Sequence, residues 1–452
     1  MHRTDNTRNA APRGSLLLRE GTAQWQALSA FRAERCRNKN YTFGRQWSDM
    51  ITVDGCRMSE YDYIVSEGNI PLKNNLIRRI VRNVLGVFRS RLSEKMASWD
   101  AGLRESAAEN SLYELYARTM EEFLISGIAV HRIGSVRKNG KVSPVCRQVS
   151  PDTFFFDTSS RDIRGEDLSF IGQFHEINFT EYCNAFVSTR HDYEEAAGIF
   201  RDRGKIRIME LWRRERVPRR LIHDMDNGRV LKTDEHVWRH NRQLQKMPSR
   251  WILDDVWRYY FIDTDGNILR EGDSPYPHKC HPYEFKCYPF LDGEIHSFVA
   301  DIIDQQRYTN RLITMYDWIM RASAKGVLLM PEGAVDPENM QDVADQWSRF
   351  NGVIVYRPKA GQPDPRQVSG NATNIGISEL LDIQLKMLED ISGVNGALQG
   401  NVTGNSISGT LYNQQTQNAL TSLSDILDTF ASFIAATTLK IQTLLPARHN
   451  NK

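Results

Sequence analysis

Asn395-Gly-Ala-Leu-Gln-Gly-Asn-Val-Thr-Gly-Asn-Ser-Ile-Ser-Gly-Thr-Leu-Tyr-Asn-Gln-Gln-Thr-Gln-Asn-Ala-Leu-Thr-Ser-Leu-Ser424 contains no Asp, Glu, Lys, Arg or His, in a chain of 452 residues of which 25% are charged. Gly, Asn, Gln, Ser and Thr dominate it, so it is uncharged without being apolar. The glycines from Gly396 to Gly409 predict a loop, and the stretch from Thr410 onward predicts the polar opening of a long helix over 409–444. Amides and hydroxyls touch a polyanion weakly and exchangeably. Each Lys or Arg would instead add a steep phosphate-neutralising contribution. A flexible loop ahead of an amphipathic helix is the plainer alternative.

Working outward, a helix is predicted from about Ser378 to Ile391, preceded by the breakers Pro358, Gly361, Pro363 and Pro365. Before these, a small α/β insertion is predicted: a strand over 326–330, a helix around 337–349 and a strand over 352–357. Ahead of it, Ile295, Phe298, Ile302, Gln306, Thr309, Ile313, Tyr316 and Met320 keep helical register. That helix would be roughly 40 Å long at 1.5 Å per residue. Two long helices with an insertion can form an antiparallel pair carrying a small domain at one end, and a helical bundle with an excursion fits the pattern equally.

The N-terminal half begins with a polar, basic segment expected to be disordered over 1–24, followed by a short helix from Trp25 to Arg37. Asn75 can cap a helix with Ile77, Ile80, Val81, Val84, Leu85 and Phe88 on one face. Another helix is expected over 108–126. The period then falls to two: strands are expected at 128–136, 142–149, 170–178, 205–212, 257–263 and 268–270. Turns are expected at Lys138-Asn139-Gly140, Asp226-Asn227-Gly228 and Asp265-Gly266, with a helical insertion around 180–200.

Lys+Arg total 58 against 56 Asp+Glu, so contact with nucleic acid would have to be local or weak. Six scattered cysteines (Cys36, Cys56, Cys146, Cys183, Cys280, Cys287) read as free thiols in a reducing compartment. Leu16 to Leu18 is too short for a signal peptide, and Phe430 to Leu439 is too short to span a bilayer, so no membrane is expected. Gly134 to Val142 has one residue too many for a Walker A loop and lacks its hydroxyl. His278, Cys280, His281 and Cys287 match no zinc spacing, and Asp263-Thr-Asp265-Gly266 reads as a turn rather than a calcium loop. Arg213, Arg214, Arg216, Arg219 and Arg220 could touch phosphates, although a solvated strand end or salt bridges are the plainer reading. No acid/base couple or nucleophile elbow is visible, so no enzyme, metal or cofactor is expected.

A resemblance adds to this. Phe43-Gly-Arg-Gln-Trp47, Asn74-Asn-Leu-Ile77 with Gly86, Gly127-Ile-Ala-Val130, Val149-Ser-Pro-Asp-Thr-Phe154, Phe156-Asp-Thr-Ser-Ser-Arg161, Tyr288-Pro-Phe290, Asp304-Gln-Gln306, Asn310-Arg311 and Gly393 to Gly400 occur in an order that resembles the portal (head-to-tail connector) family of tailed bacteriophages, most like portals of short-tailed phages. The resemblance covers about residues 25–445. It implies an α+β portal fold: a mixed α/β wing (25–290), a stem helix (291–323), a small clip (324–374), a second stem helix (375–395), a tunnel loop (396–409) and a long C-terminal helix (410–452). The family's crown usually follows that last helix, so a crown would be reduced or absent.

The resemblance further implies a homo-oligomeric ring, dodecameric by family, at one capsid vertex of the virion, assembled in the host cytoplasm. Its channel would pass double-stranded DNA without sequence preference during packaging and ejection. Gln399, Asn401, Thr403, Asn405, Ser406 and Ser408 would face that DNA. Trp347, Arg349, Arg357 and Lys359 of the clip would dock terminase and later the head-tail adaptor or tail proteins, while the wing would meet the major capsid protein. Another virion structural protein, such as a capsid or tail subunit, and a DNA-processing nuclease are the competing readings.

Overall fold

The computed structural model describes residues 12–138, 141–224, 228–325, 327–348, 353–358, 361, 363–368, 376–396, 398 and 409–445. Along the chain, helices α1 (Arg13–Ala27) and α2 (Ser29–Thr42) precede a hairpin of β1 (Met50–Val53) and β2 (Cys56–Ser59) and a short helix α3 (Glu60–Ser66). Helices α4 (Leu76–Ala97), α5 (Ala101–Glu109) and α6 (Leu112–Ser126) follow, then strands β3 (Ile128–Lys138), β4 (Lys141–Gln148), β5 (Phe154–Phe156) and β6 (Phe170–Ile177). Two helices, α7 (Phe179–Phe186) and α8 (Arg190–Ile199), each opened by a capping box, lead into β7 (Ile206–Asp224) and β8 (Arg229–Asp234). Next come α9 (Glu235–His240), α10 (Arg242–Gln245), β9 (Ser249–Ile262), β10 (Ile268–Asp273), β11 (Tyr283–Cys287), β12 (Pro289–Leu291) and β13 (Glu294–Ile295). The remainder is α11 (Ala300–Lys325), β14 (Val327–Leu329), α12 (Met340–Ser348), β15 (Arg366–Val368), α13 (Ile377–Ser392), α14 (Gly409–Ser422) and α15 (Ser424–Leu444). The mixture of helices and mainly antiparallel sheets is the α+β class expected from the change of period.

The contacts divide the chain into two units: one of Met1–Thr42, Ile77–Asp301 and Ser392–Lys452, the other of Phe43–Leu76 and Ile302–Ile391. In the first unit the main sheet runs β10-β9-β7-β6-β5, with β8 on β7, and a second sheet runs β11-β3-β4. Strand alternation sorts the main sheet's side chains between two cores. Phe170, Phe174, Met209 and Leu211 pack with Leu17 and Phe155, while Ile171 and Trp212 pack with Ile128, Val130, Phe154 and Tyr283. On α4, the predicted stripe Ile77, Ile80, Val81, Val84 and Phe88 is buried. Phe88 and Phe123 meet Phe430 of α15 at ring distances of 5.1 and 5.4 Å, and Phe433 lies 4.7 Å from the His131 ring. Such aromatic contacts add roughly 0.5–1.5 kcal/mol each beyond the area they bury.

Four expectations need correction. Residues 13–24 are not disordered but form most of α1, because Leu17 is buried and Gly21 lets the helix lie directly on the sheet. A Cβ at Gly21 would fall 2.4 Å from Met209 Sδ. Of the strand expected at 352–357, the described residues 353–357 form none: β14 pairs with β15 instead, and 353–358 carry no regular structure. The long helix expected over 409–444 is two helices bent by 61° at Leu423. There Thr421, Ser422 and Ser424 turn their hydroxyls onto the carbonyls of Gln417, Ala419 and Thr421, a competition with the helix ladder that favours bending. Finally, residues 43–76 cluster with 302–391 rather than with the rest of 25–290.

Among the described residues no single helix is long and apolar enough to cross a membrane. The α14–α15 pair passes that test only together, and the apolar face of α15 (Ile426, Leu427, Phe430, Phe433, Ile434, Ile441) is buried in the protein core.

Candidate functional site

The uncharged segment leaves α13 at Gly393, whose φ of +66° is the left-handed conformation that suits glycine at a helix C-terminus. A Cβ there would also lie 2.4 Å from Ser422 Oγ, whose single O–H, directed mainly at the Ala419 carbonyl at 2.8 Å, is shared with the Gly393 carbonyl at 3.3 Å. Buried Val394 gives its N–H to Ser392 Oγ. Asn395 Nδ2 donates to the Gln415 carbonyl at 3.2 Å, while its Oδ1 accepts from Leu398 N–H. The outgoing chain is thus stitched to α14 at both Gln415 and Ser422, so the excursion has clamped ends. Gln399, Asn401, Thr403, Asn405, Ser406 and Ser408 lie outside the described residues. Beyond the segment, Asp425 accepts from Tyr288 Oη at 2.9 Å, and burial with that bond pushes the phenol up to about 12.

In the insertion, Arg357 N–H donates to the Ala334 carbonyl at 2.8 Å, and its exposed guanidinium pairs with Asp336 at 3.4 Å. That one backbone bond and the ion pair tie the end of 353–357 to the turn ahead of α12 without a ladder, and Val353 and Val355 are open to solvent. Tyr356 Oη donates to Asp364 at 3.0 Å. Arg357 lines a concavity of about 400 Å³ with Asp336, Asp342, Gln346 and Tyr356, whereas Trp347, half-buried on α12, does not. Arg349 and Lys359 lie outside the described residues.

Residues named in the motifs converge in the second unit as a buried amide lattice. Asn310 Nδ2 donates to Gln46 Oε1 at 2.7 Å, and Gln46 Nε2 donates to Asn75 Oδ1 at 3.1 Å. Gln306 Nε2 serves the Asn74 carbonyl and Asn310 Oδ1, while its Oε1 accepts from Leu76 N–H at 2.9 Å. Trp47 Nε1 donates to the Leu72 carbonyl at 3.1 Å. Gln46, Gln306 and Asn310 are buried, so each would be costly to leave unpaired. The lattice bolts 43–76 onto α11, which explains why the segment leaves its sequence neighbours.

Two buried carboxylates were not foreseen. In the second unit, Glu60 takes both Arg307 and Arg311 on Oε1, the latter at 2.5 Å. Two arginines four apart on one helical face were the available signal that an acid must meet them. In the first unit, fully buried Glu210 accepts from Arg132 at 2.9 Å, His175 at 2.7 Å and Trp212 Nε1 at 2.8 Å. Burial alone would raise the Glu210 carboxyl, but Arg132 and His175 hold it far below the usual range. The arginines of the 212–220 cluster are likewise answered by acids of the same chain: Arg213 by Glu20, Arg216 by Asp255, Arg219 by Asp273 and Arg220 by Glu235. The described residues hold no group of three or more His, Cys, Asp or Glu arranged for a metal. His281 packs edge-on against Trp257, and Cys287 is buried on β11.

From the residues singled out in the sequence the fold assembles an uncharged excursion clamped between helices, a small α/β insertion and a set of acid-matched arginines. Residues 18–449 match the family described as phage P22-like portal protein, and the chain belongs to that family. Portal proteins are structural components of the capsid vertex of a phage. No curated protein matches the sequence.

Proposed function

We propose that this chain forms a ring, dodecameric as in the resembling family, that serves as the channel for double-stranded DNA entering and leaving a phage capsid. The observation that carries the reading is the family match over residues 18–449, which takes in nearly every element described. In it, the wing is drawn from 25–290 without 43–76, which cluster with the stem and clip residues, while 291–323 and 375–395 are the stem helices, 324–374 the clip and 396–409 the tunnel loop. Membership further supports contacts with capsid, terminase and tail components.

The charge-free segment supplies the channel chemistry. Multiplied around a ring, one lysine per subunit would become a collar of cations, and affinity for DNA would climb steeply with each phosphate neutralised. Gln399, Asn401, Thr403, Asn405, Ser406 and Ser408 would offer only exchangeable hydrogen bonds, so DNA could slide. Trp347, Arg349, Arg357 and Lys359 would receive terminase and later the adaptor.

The test is to shorten Gly396–Ser408 in the phage. Rings and empty heads should form normally while DNA packaging or retention fails. Genome-filled, stable heads from that variant would refute the role of the segment, and a purified wild-type protein showing no rings in negative stain would refute the ring itself.

A further inference from the structure

In the second unit, Trp47, Tyr63, Met315 and Trp318 wall a concavity of about 360 Å³, with Glu60 and Arg311 at its polar end. This is a volume that takes several large side chains. It is open where Met315 and Trp318 are half exposed. Glu60 is only 3% exposed, and its Oε2 has no hydrogen-bond partner among the described residues. A buried carboxylate oxygen left unpartnered costs free energy that an incoming donor would recover. Arg307 and Arg311 both reach Glu60 Oε1 at this end.

The same unit carries a convex counterpart. On α13, Leu380, Ile383, Met387 and Ile391 recur at spacings of three, four and four, the single-face pattern of a docking helix. All four are 39–47% exposed, although such a stripe ordinarily faces a core. The helix carries Glu379, Asp382, Glu389 and Asp390 against one cation, Lys386, so four acids less one lysine leave it net negative by three.

We infer that α13 of a neighbouring copy docks into the Trp47–Tyr63–Met315–Trp318 concavity, its Ile383 and Met387 filling the apolar space and its acids facing Arg307 and Arg311. Lys386, the one cation of α13, supplies the donor that Glu60 Oε2 lacks. The inference rests on the ring reading. A closed ring needs head-to-tail contacts, hence two different and complementary patches on every subunit. A hollow apolar patch bordered by arginines and a ridged apolar patch bordered by acids, both present on one unit, meet that requirement. A two-fold dimer would need one self-complementary patch instead.

The experiment pairs Trp318→Cys with Met387→Cys in the full chain, oxidises the purified protein and resolves it on a non-reducing denaturing gel. The expected result is a ladder of multimers from the double variant, absent from either single variant, which also controls for the exposed Cys36 and Cys56. Rings visible in negative stain that give no ladder, or a crosslink confined to one chain, would overturn the interface and leave the ring standing. A wild-type protein that never forms rings would remove both. Independently, Ile383→Asp with Met387→Asp should abolish rings while helical circular dichroism and melting of the subunit stay unchanged. Intact rings from that variant would overturn the inference.

Discussion

Glu210 and Glu60 are both buried carboxylates held by arginine, yet they are finished differently. Glu210 has no exposure and uses both oxygens, on Arg132, His175 and Trp212. Glu60 crowds two arginines onto one oxygen and leaves the other without a partner among the described residues. Burial makes charge expensive unless every lone pair is answered, so a complete site belongs to the fold and an incomplete one points outward. The lattice of Gln46, Gln306 and Asn310 follows the complete pattern with neutral amides. The segment 395–424 uses the same residue types with the charges removed altogether.

The comparison can be broken most sharply at Arg132. Arg132→Met strands the Glu210 carboxylate in the core and should cost about 3–5 kcal/mol of unfolding free energy in urea titrations. Adding Glu210→Gln should restore much of that loss. A single variant within about 0.5 kcal/mol of wild type would mean that Glu210 is not the closed charge centre described.

Acid should separate the two units next. None of the chain's 11 histidines falls in 43–76 or 302–391. In the first unit, burial lowers His131 to about 3, and burial with nearby Lys440 lowers His278 to about 4 and His281 well below its ordinary value. The Thr119 hydroxyl gives its proton to the Leu115 carbonyl and so accepts from His131 Nε2, which sets the tautomer, while complete burial keeps the ring neutral. The unfolded chain binds these protons below its histidine pKa near 6.5 and the fold does not. Stability is therefore fully present above pH 6.5 and falls as pH drops, by up to about 1.4 kcal/mol per pH unit for each histidine. Glu210 adds a further loss below the ordinary carboxylate value of 4.5. Hydrogen exchange at pH 7 and pH 5, corrected for intrinsic rates, should show the loss of protection in β3, β11 and α15 before α11. The reverse order would sink this assignment.

The smallest effect is expected at Glu60. Arg307→Met leaves Arg311 to hold the carboxylate, and the polar end already borders an open concavity. The cost should be about 1–2 kcal/mol in the same titration. A loss as large as that of Arg132→Met would show that the Glu60 site is as closed as the other.

Much of the architecture was readable because local period survives folding. Ile77 to Phe88, Leu112 to Leu124, Ile302 to Met320 and Ser378 to Ile391 carried helical spacing, although Ile295, expected on the same helix, lies in β13, and the middle third carried alternation. The helix over 13–27 was hidden because its glycines lower helix propensity while permitting close packing, a benefit invisible without the sheet it rests on. The candidate DNA-facing residues were legible only as a composition; Arg307 and Arg311, four apart on one face, signalled an acid partner, but which acid they or Arg132 would meet was not legible, because ion pairing links positions far apart in the chain.

By itself, then, the sequence determined the element types, the absence of charge over 395–424 and the motif order that carries the family, since each depends on neighbours within a few turns. Tertiary structure alone decided that 43–76 joins 302–391, that β14 takes β15 and not 353–357, and which buried charges are complete. Those outcomes turn on which distant groups can satisfy one another's hydrogen bonds away from water, and no local period encodes that.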